Sequence, residues 1–485
     1  MKKLSFFVIA LFFYSTLIAQ EKEVHVSLET QGIVTTNDAV PFWLRSNQYG
    51  SVPLPGGSGS LIARIRKDYD TTKTFSWAAS FEGRGNLGRT GQFILVEGLV
   101  KARAGIFELK AGRSKDVVGL ADSTLSSGSF AVSGNALGVP KIGIGIPDYY
   151  SIPVWGKLFA VKAGLYNGYL GNVDAVYKNK PINFNSYYLE NYFYFRIGKP
   201  AWRFKIDVGY NHEVQWGAEK QAYSTFFNLN SIDAYWYVLT GKAYRGGSKV
   251  GNHLGSVDIG AEYRFDSFNL SLYRQNLYDI GALSHLANIA DGLNGITIAN
   301  TLPNSGSFHW KKFLFELLYT ANQAGGLGSK RTSSGAENYY NNDVYTEGWA
   351  YNNIGLGTPF ITSRNDARGD LARASNQFFI NNRVLALHTA AQFYMFNWLY
   401  TYKLSYSQNQ GTFATGTELY RGVDGAIRTP GKYGTFKKVH QYSGYIEGLR
   451  PLKNGYNVGY NIGYDRGGLL YNSFGIILKA SKTFL

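Results

Sequence analysis

The sequence predicts an all-β protein, a transmembrane antiparallel β-barrel of about 16–18 strands with long extracellular loops. Three observations favour this fold class: an N-terminal segment typical of exported proteins, alternation of apolar and polar side chains in many short segments, and an unusual composition. Aromatic residues make up 16 % of the 485 residues and charged residues only 17 %, whereas about 25 % charged residues is usual in soluble proteins. A soluble chain of this length would more often be divided into two or more domains.

The N-terminus has the three parts of a secretory signal peptide. Lys2 and Lys3 form its positive start, residues 4–18 are an apolar run, and Ala19 is a small residue before the cleavage point at Gln20. We therefore predict a signal peptide at residues 1–19. The alternative is a transmembrane anchor, but the run is about 15 residues long and a spanning helix needs about 20. Without a later apolar segment of that length, the mature chain could span a membrane only as a closed barrel.

The alternation of side chains has a period of two residues in several segments. It is cleanest in 202–210, 257–265, 398–406 and 75–81, where apolar and often aromatic residues occupy every second position. Successive strand side chains face opposite sides, so each segment has one apolar and one mostly polar face. Segments of about ten residues with aromatic residues near their ends are typical of transmembrane barrel strands. A large soluble β-sandwich or β-propeller would alternate in the same way, but export, aromatic content and low charge favour the membrane barrel.

About seventeen segments qualify as strands, and because bacterial single-chain barrels have an even number we estimate 16 or 18. The candidate strands begin near Val24, Leu61, Phe75, Phe93, Phe107, Leu158, Tyr188, Trp202, Leu254, Phe268, Leu293, Trp310, Phe379, Trp398, Phe436, Tyr456 and Phe474. No linker, charge block or internal repeat divides the chain, so residues 20–485 are predicted to be a single outer-membrane barrel domain. We expect residues 20–55 to include a short periplasmic or lumenal segment. The barrel itself predicts a location in the outer membrane of a Gram-negative cell.

Two stretches, 218–249 and 321–376, contain no convincing pair of strands. In outer-membrane barrels the periplasmic turns are short and the extracellular loops are long, so both stretches are predicted to be extracellular. Long structureless segments in compact folds usually carry function, which makes these loops the first place to look for a site.

The search for catalytic chemistry is mostly negative, and we expect neither an enzyme nor a metal or cofactor. The chain has no Cys, which excludes disulfides, Cys-based zinc sites and thiol nucleophiles. It also lacks the HExxH, GxSxG and GxxxxGK[ST] motifs. His25 and Ser27 would share one strand face, as a base and a nucleophile require, but the sequence suggests no third partner. We interpret the pair as part of a polar strand face.

The segment 337–351 is rich in aromatic and amide side chains, and five of its residues are the candidate binding residues: Tyr339, Tyr340, Asn341, Asn342 and Trp349. Aromatic rings offer flat apolar faces with a polar edge, and amides offer a donor and an acceptor together. Sugars present the matching C–H faces and hydroxyl rims. The alternative interpretation is that the aromatic residues form the core of a loop packed on itself or on the lumen wall.

The charge of the chain indicates its partners. The formal net charge is +16, and removal of the two lysines of the signal peptide leaves +14. Export makes nucleic acid an improbable partner, so the excess of positive charge favours an acidic polysaccharide, outer-membrane lipid or lipopolysaccharide. We expect the protein to be a monomer.

Several short motifs, in their order along the chain, resemble those of the Wzi-like capsule assembly proteins of the Gram-negative outer membrane. They are Pro41-Phe42-Trp43-Leu44-Arg45-Ser46-Asn47-Gln48-Tyr49-Gly50, Ala111-Gly112-Arg113, Leu125-Ser126-Ser127-Gly128-Ser129, Ser133-Gly134-Asn135, Pro140-Lys141, Asn211-His212-Glu213, Gln215-Trp216-Gly217, Asp291-Gly292-Leu293-Asn294-Gly295 and the stretch 338–349. The resemblance implies a barrel of about 18 strands that acts as a surface lectin, anchors capsular polysaccharide and catalyses nothing. The best-known members also carry a periplasmic helical bundle, whereas the N-terminal part of this chain shows no strong helical periodicity.

Other functions remain open at the level of sequence. A diffusion porin that favours anions would share the fold, so the fold cannot decide between it and a polysaccharide-binding barrel. A long loop at 321–376 that fills the lumen would favour the binding protein, because conduction would then be poor. A barrel enzyme acting on lipid or glycan is disfavoured by the missing catalytic motifs, and a TonB-dependent transporter by the lack of room for a plug domain.

Overall fold

The computed structural model describes residues 24–484 apart from 90, 178–179, 225, 246–247, 280, 305, 329–334 and 422–426. The predicted signal peptide lies outside the described residues. Among the helices in the described ranges, none has the length and apolar character needed to cross a membrane.

Eighteen strands form one closed antiparallel sheet. In chain order, β1 to β18 are Val24–Thr35, Ser58–Lys67, Phe75–Leu87, Gln92–Ala104, Phe107–Arg113, Lys141–Ser151, Phe159–Tyr177, Lys180–Ile197, Phe204–Trp216, Asn252–Arg264, Phe268–Tyr278, Gly292–Asn300, Phe308–Tyr319, Val384–Met395, Trp398–Asn409, Val439–Pro451, Tyr456–Gly467 and Ser473–Thr483. Each strand pairs with the next, and β1 pairs with β18 from Ser27 opposite Thr483 to Thr35 opposite Gly475. The predicted fold class and the even strand count are confirmed.

Three details of the strand prediction need correction. The strand predicted to begin near Tyr188 begins eight residues earlier, at Lys180, where Asn183 and Asn185 replace apolar residues in the alternation. The strand β6 was missed because glycines replace polar residues in its alternation and Pro147 interrupts it, at a point where the register also shifts between Ile146 and Tyr150. The strand predicted to begin at Phe379 begins at Val384 instead, because Phe379–Asn381 pairs with Thr362–Ser363 in a loop. Within the 20–55 segment, Val24–Thr35 is the first barrel strand.

The outer wall of the barrel carries an apolar belt. Exposed apolar side chains on alternate strand positions include Leu61, Ile65, Phe93, Leu109, Ile144, Phe193, Val208, Ile259, Leu272, Ile296, Phe313, Leu404 and Leu478. The opposite strand faces line the lumen with paired charges, such as Arg64, whose guanidinium lies 2.8 Å from Glu82 and 2.7 Å from Glu29. An apolar outer band around a polar interior is the arrangement that a bilayer requires, and the protein is an outer-membrane β-barrel.

The two ends of the barrel differ. One end has short turns and both ends of the described chain, Val24 and Phe484. In one of these turns Phe396 and Asn397 have φ values of +49° and +65°, as the central residues of a type I′ hairpin do. The other end carries nine connections, five of them longer than 20 residues, which we name L1 to L9 in chain order: 36–57, 88–91, 114–140, 178–179, 217–251, 279–291, 320–383, 410–438 and 468–472. By the usual orientation the short turns are periplasmic and L1 to L9 are extracellular.

Three of these loops, L1 (36–57), L3 (114–140) and L7 (320–383), turn into the lumen. In L1 the one-turn helix α1, Phe42–Arg45, is held by the Trp43 indole N–H, which donates to the Ser405 hydroxyl at 3.1 Å. The backbone N–H of Phe42 donates to the carboxylate of Asp465 at 2.7 Å. Residues 36–55 of the predicted 20–55 segment thus lie in L1, after the first barrel strand and not before it. The longest helix in the described ranges has ten residues.

The loop L3 is anchored to acidic residues of the lumen wall. The Ser126 hydroxyl and the Ser127 backbone N–H donate to the Glu316 carboxylate at 2.7 and 2.6 Å. The Leu120 backbone N–H donates to Asp258 at 2.9 Å. Because buried backbone donors are costly without an acceptor, these wall carboxylates fix the path of L3 through the barrel.

Candidate functional site

The stretch 338–349, which carries the five candidate binding residues, lies deep in L7. The side chains of Tyr339, Tyr340 and Trp349 are 0 %, 1 % and 0 % exposed. They pack with Phe130 of L3 and Tyr188 of the wall in one apolar cluster. These three rings therefore form the contact between L7, L3 and the barrel, and L7 would have to move before they could touch a polymer.

The polar edges of these rings are also occupied. The Tyr339 hydroxyl donates to the carboxylate of Asp291 at 2.8 Å and accepts from the Asn288 amide at 2.8 Å. The Trp349 indole N–H donates to the Ala131 carbonyl of L3 at 2.8 Å. A buried ring whose donor is already satisfied contributes to packing and to the position of the loop.

The next two candidates, Tyr340 and Asn341, join separate segments of L7, and Tyr340 also joins L7 to L3. The Tyr340 hydroxyl accepts from the Thr358 backbone N–H at 2.9 Å and donates to the Phe130 carbonyl. The Asn341 amide bonds both backbone groups of Phe379, donating at 2.9 Å and accepting at 3.0 Å. Tyr340 thus holds together segments that are 18 and 210 residues apart in sequence, and Asn341 holds together segments that are 38 residues apart.

The fifth candidate, Asn342, has a local role. Its side-chain oxygen accepts from the backbone N–H groups of Val344 and Tyr345 at 2.9 and 3.1 Å, which closes a turn. Its amide nitrogen donates to Asn252 at the end of β10 at 3.0 Å. The arrangement of all five residues agrees with the loop-core alternative stated for this stretch, and contact between any of them and polysaccharide stays a prediction.

Directly above this core lies an open groove at the extracellular mouth, with a volume of about 1040 Å³. We call it the mouth groove. It lies between the tip of β7, L7 and L8 (410–438), and is lined by Asp174, Ala175, Val176, Thr346, Glu347, Asn353, Arg364, Asn365, Ser375, Asn376, Phe378, Arg428, Lys432 and Tyr433. Three cations, two carboxylates, three amides and two aromatic rings therefore face one space, with a net positive charge.

The cations of the mouth groove are held by nearby groups. The Arg364 guanidinium donates to the carbonyls of Ser375, at 3.1 Å, and Gln377. Burial, followed by the neighbouring charge of Arg373, lowers the pKa of Arg364 from its usual value. On the L8 side, the Lys432 ammonium is exposed and lies 5.1 Å from the centroid of the Tyr433 ring.

The predicted stretch supports the groove from below and also contributes to its wall. Thr346 and Glu347, which line the groove, lie in the stretch between the buried rings. Gly348 has φ = +64°, and a Cβ there would approach the Tyr340 carbonyl to 2.3 Å, so only glycine allows this turn without strain. The Phe378 ring of the groove packs edge-to-face on Phe379 at 5.1 Å, and Asn341 fixes Phe379.

Most of the groove residues could not be identified from the sequence. Its cations and amides come from separate parts of L7 and L8, and nothing in the sequence brings these segments together. One local signal was available, since L8 combines Arg428, Lys432 and Tyr433 with two further lysines, Lys437 and Lys438. A basic segment with an aromatic residue favours an acidic ligand, but 410–438 is not among the stretches predicted to be extracellular loops.

The His25–Ser27 pair lies at the periplasmic end of β1. The His25 ring is 3.3 Å from Asp68, both side chains being largely exposed, and His25 and Ser27 alternate with the outward-facing Leu28. In the described structure no hydrogen bond joins the side chains of His25 and Ser27. Across the described ranges, no three His, Asp or Glu side chains are grouped as a metal site requires.

Comparison with solved structures finds barrels of the same fold. The chain is similar to Wzi of Escherichia coli, a carbohydrate-binding β-barrel involved in group 1 capsule assembly, with a TM-score of 0.55, 10 % identity, and coverage of 94 % of this chain and 83 % of that one. It is also similar to OccAB2 of Acinetobacter baumannii, with a TM-score of 0.44, 11 % identity, and coverage of 95 % and 97 %. A third similar structure is OpdQ of Pseudomonas aeruginosa, with a TM-score of 0.42, 10 % identity, and coverage of 96 % of this chain and 99 % of that one.

Neither a protein-family model nor a curated protein sequence matches the chain. At about one identical residue in ten, the structural similarities establish the barrel fold and leave the ligand to be argued from the site.

Proposed function

We propose that this protein is a surface lectin of the outer membrane that binds and anchors exported capsular or other surface polysaccharide. The observation that carries the proposal is the mouth groove, an open extracellular space of about 1040 Å³. This volume is at the upper end of the roughly 300–1,000 Å³ of small-ligand pockets. A groove of this size that opens along the surface suits several units of a chain.

The groove lining has the chemistry of a glycan site. Tyr433 and Phe378 offer ring faces for the C–H surfaces of sugars. Asn353, Asn365 and Asn376 offer paired donors and acceptors for hydroxyl groups. Arg and Lys side chains form charge-assisted hydrogen bonds with carboxylates, which favours an acidic polysaccharide.

The fold supports the same proposal. The structural similarity to Wzi, at a TM-score of 0.55, is to a carbohydrate-binding barrel of capsule assembly, and the motifs of the sequence resemble the Wzi-like family. We propose membership of that family on these two grounds. The proposed ligand class is then the one that both the groove chemistry and the resemblance indicate.

A diffusion porin that favours anions is the alternative. It requires a continuous aqueous path, whereas L1, L3 and L7 pass through the lumen and bond to its wall. A polar cavity of about 330 Å³ does remain beneath L3, lined by both lysines and carboxylates. Planar-bilayer recordings distinguish the two functions: we expect little or no steady conductance, and a large stable open channel would favour the porin.

The binding test uses purified protein and a short oligosaccharide of the host's own surface polysaccharide, because a long polymer would mask affinity changes by avidity. We expect Lys432→Ala and Tyr433→Ala each to weaken binding, and the double variant to weaken it by roughly thirtyfold or more, the effect of losing about 2 kcal/mol. Isothermal titration calorimetry measures the change.

The matched control is Lys437→Ala, which removes an exposed lysine of the same loop that does not line the groove. It should bind like the wild type. Equal losses of affinity in Lys437→Ala and Lys432→Ala would show that the loss reflects the overall charge of the protein and not a contact in the groove. Unchanged binding in the double variant would exclude the mouth groove as the site.

A further inference from the structure

The loop L5 (217–251) contains a helix that lies against the outside of the barrel. The loop begins with the one-turn helix α2, Glu219–Ala222, and the helix that lies against the barrel, α3, spans Ser231–Thr240. Its buried residues Ala234 and Val238 pack on Leu189 of β8 and Val214 of β9. The first turn is capped by the Asn230 side chain, which accepts from the Asp233 backbone N–H at 2.8 Å.

The strand residues beneath α3 belong to the lipid-facing side of the wall. Leu189 shares its strand face with Phe193, four residues on, and Val214 shares its face with Tyr210 and Val208. Phe193, Tyr210 and Val208 are exposed members of the apolar belt. The helix therefore covers the outer wall and not the lumen.

The position of α3 along the barrel axis corresponds to the outer rim of the belt. Val214 lies about ten residues after Phe204, the periplasmic start of β9. At about 3.3 Å per residue and a tilt of about 40°, this is about 25 Å above the periplasmic end, the height of a typical apolar belt. The helix thus lies at the level where the outer leaflet meets the extracellular medium.

The face of α3 that points away from the barrel is also apolar. Ile232 is 82 % exposed and Trp236, one helical turn later, is 58 % exposed. Lys242 follows Gly241, which caps the C-terminus of the helix, and its ammonium is 5.2 Å from the Tyr237 ring. In water, the exposed apolar side chains of Ile232 and Trp236 would be energetically unfavourable. Trp and Lys side chains at a boundary between apolar and polar surroundings are instead typical of membrane interfaces.

We propose that α3 is an interfacial anchor seated in the lipopolysaccharide leaflet. Ile232 and Trp236 enter the acyl chains of lipid A, and Lys242 pairs with a lipid A phosphate. The apolar face of the helix is continuous with the barrel belt, and its cation stands at the level of the phosphate groups. This assignment is independent of the polysaccharide proposal, since α3 contributes no residue to the mouth groove.

The absence of Cys from the chain allows a direct measurement of depth. Ile232→Cys and Trp236→Cys are each spin-labelled and placed in phosphatidylethanolamine vesicles containing lipid A. Phe193→Cys in the belt is the lipid-exposed reference, and Glu347→Cys in the mouth groove is the water-exposed reference. Electron paramagnetic resonance compares the accessibility of each label to oxygen, which partitions into lipid, and to a water-soluble nickel chelate. Two labelled positions on the exposed face keep the test valid if one label perturbs the helix.

We expect both α3 labels to resemble Phe193→Cys, with higher accessibility to oxygen than to nickel. Accessibilities like those of Glu347→Cys at both positions would overturn the proposal.

A second measurement tests the phosphate contact. Native mass spectrometry of the purified barrel with added lipid A should show several-fold less retained lipid A for Lys242→Ala than for the wild type. Lys157→Ala, which removes an exposed lysine at the periplasmic end, should retain it fully. Equal retention in Lys242→Ala and the wild type would refute the role of Lys242.

Discussion

Trp349 is the residue whose substitution distinguishes most clearly between a loop core and a sugar contact. It is fully buried among L7, L3 and the wall, with its indole N–H bonded to the Ala131 carbonyl at 2.8 Å and its ring 6.2 Å from that of Tyr188. Truncation of a fully buried Trp to Ala typically costs about 3–5 kcal/mol, to which the unpaired carbonyl adds about 1 kcal/mol.

That cost would act on the equilibrium between packed and loosened L7. At about 1.4 kcal/mol per factor of ten, a loss of 3–5 kcal/mol raises the loosened population by a hundredfold to a few thousandfold. The surrounding strands are held by their own ladder, so the barrel should remain folded and heat-modifiable. We expect Trp349→Ala to show new conductance in planar bilayers and faster proteolysis within L7.

Two variants serve as controls for this experiment. Trp349→Phe keeps an aromatic ring and removes the hydrogen bond, so it should raise the loosened population of L7 by about tenfold or less. Trp155→Ala removes an exposed Trp at the periplasmic end and should leave conductance unchanged. If Trp349→Ala instead loses oligosaccharide affinity while L7 stays packed and protease-resistant, the ring is a direct ligand contact. The interpretation of Trp349 as part of the core of L7 would then be wrong.

Four further predictions concern pH, salt, export and folding. Burial raises the pKa of Asp291, which anchors Tyr339, to about 6. Because the folded pKa lies above the unfolded value, the stabilisation of L7 by this carboxyl is present at low pH and lost as pH rises through about 6. L7 should therefore resist protease better at pH 5 than at pH 7.5, and this difference should be smaller in Asp291→Asn. Binding of an acidic oligosaccharide should weaken with added salt, since exposed charges are screened over about 8–10 Å at physiological ionic strength. Binding that does not depend on salt would show that the positive charge of the protein does not contribute to ligand binding. N-terminal sequencing of the mature protein should find Gln20, and Met1 would contradict the predicted signal peptide. The protein should migrate faster in unboiled than in boiled samples on a denaturing gel, and equal migration would contradict a closed barrel.

The barrel could be predicted from the sequence because its signal is local. Each strand must present an apolar face to lipid and a polar face to the lumen, and this requirement is visible in any ten residues, as in Phe204–Trp216. The prediction failed at Lys141–Ser151, where glycine and Pro147 obscure the alternation, and at Phe379, where an apolar run serves a loop pairing.

The candidate site was less accessible to sequence reasoning because it depends on contacts between distant segments. The aromatic and amide content of 338–349 correctly marked L7 as unusual, but composition does not tell whether a ring faces solvent or a partner loop. Tyr340 is buried because the Phe130 carbonyl, about 210 residues earlier in the chain, takes its hydrogen bond. The groove residues Arg364 and Lys432 likewise meet only through the path of L7 and L8 over the barrel mouth.

The most direct test of polysaccharide anchoring by the mouth groove is the ratio of cell-bound to released polysaccharide in the native host after deletion of the gene. We expect deletion to shift polysaccharide into the medium, the wild-type gene and Lys437→Ala to restore the cell-bound fraction, and the Lys432→Ala, Tyr433→Ala double variant to fail despite a normal amount of folded barrel. An unchanged ratio after deletion, or full restoration by the double variant, would contradict the account.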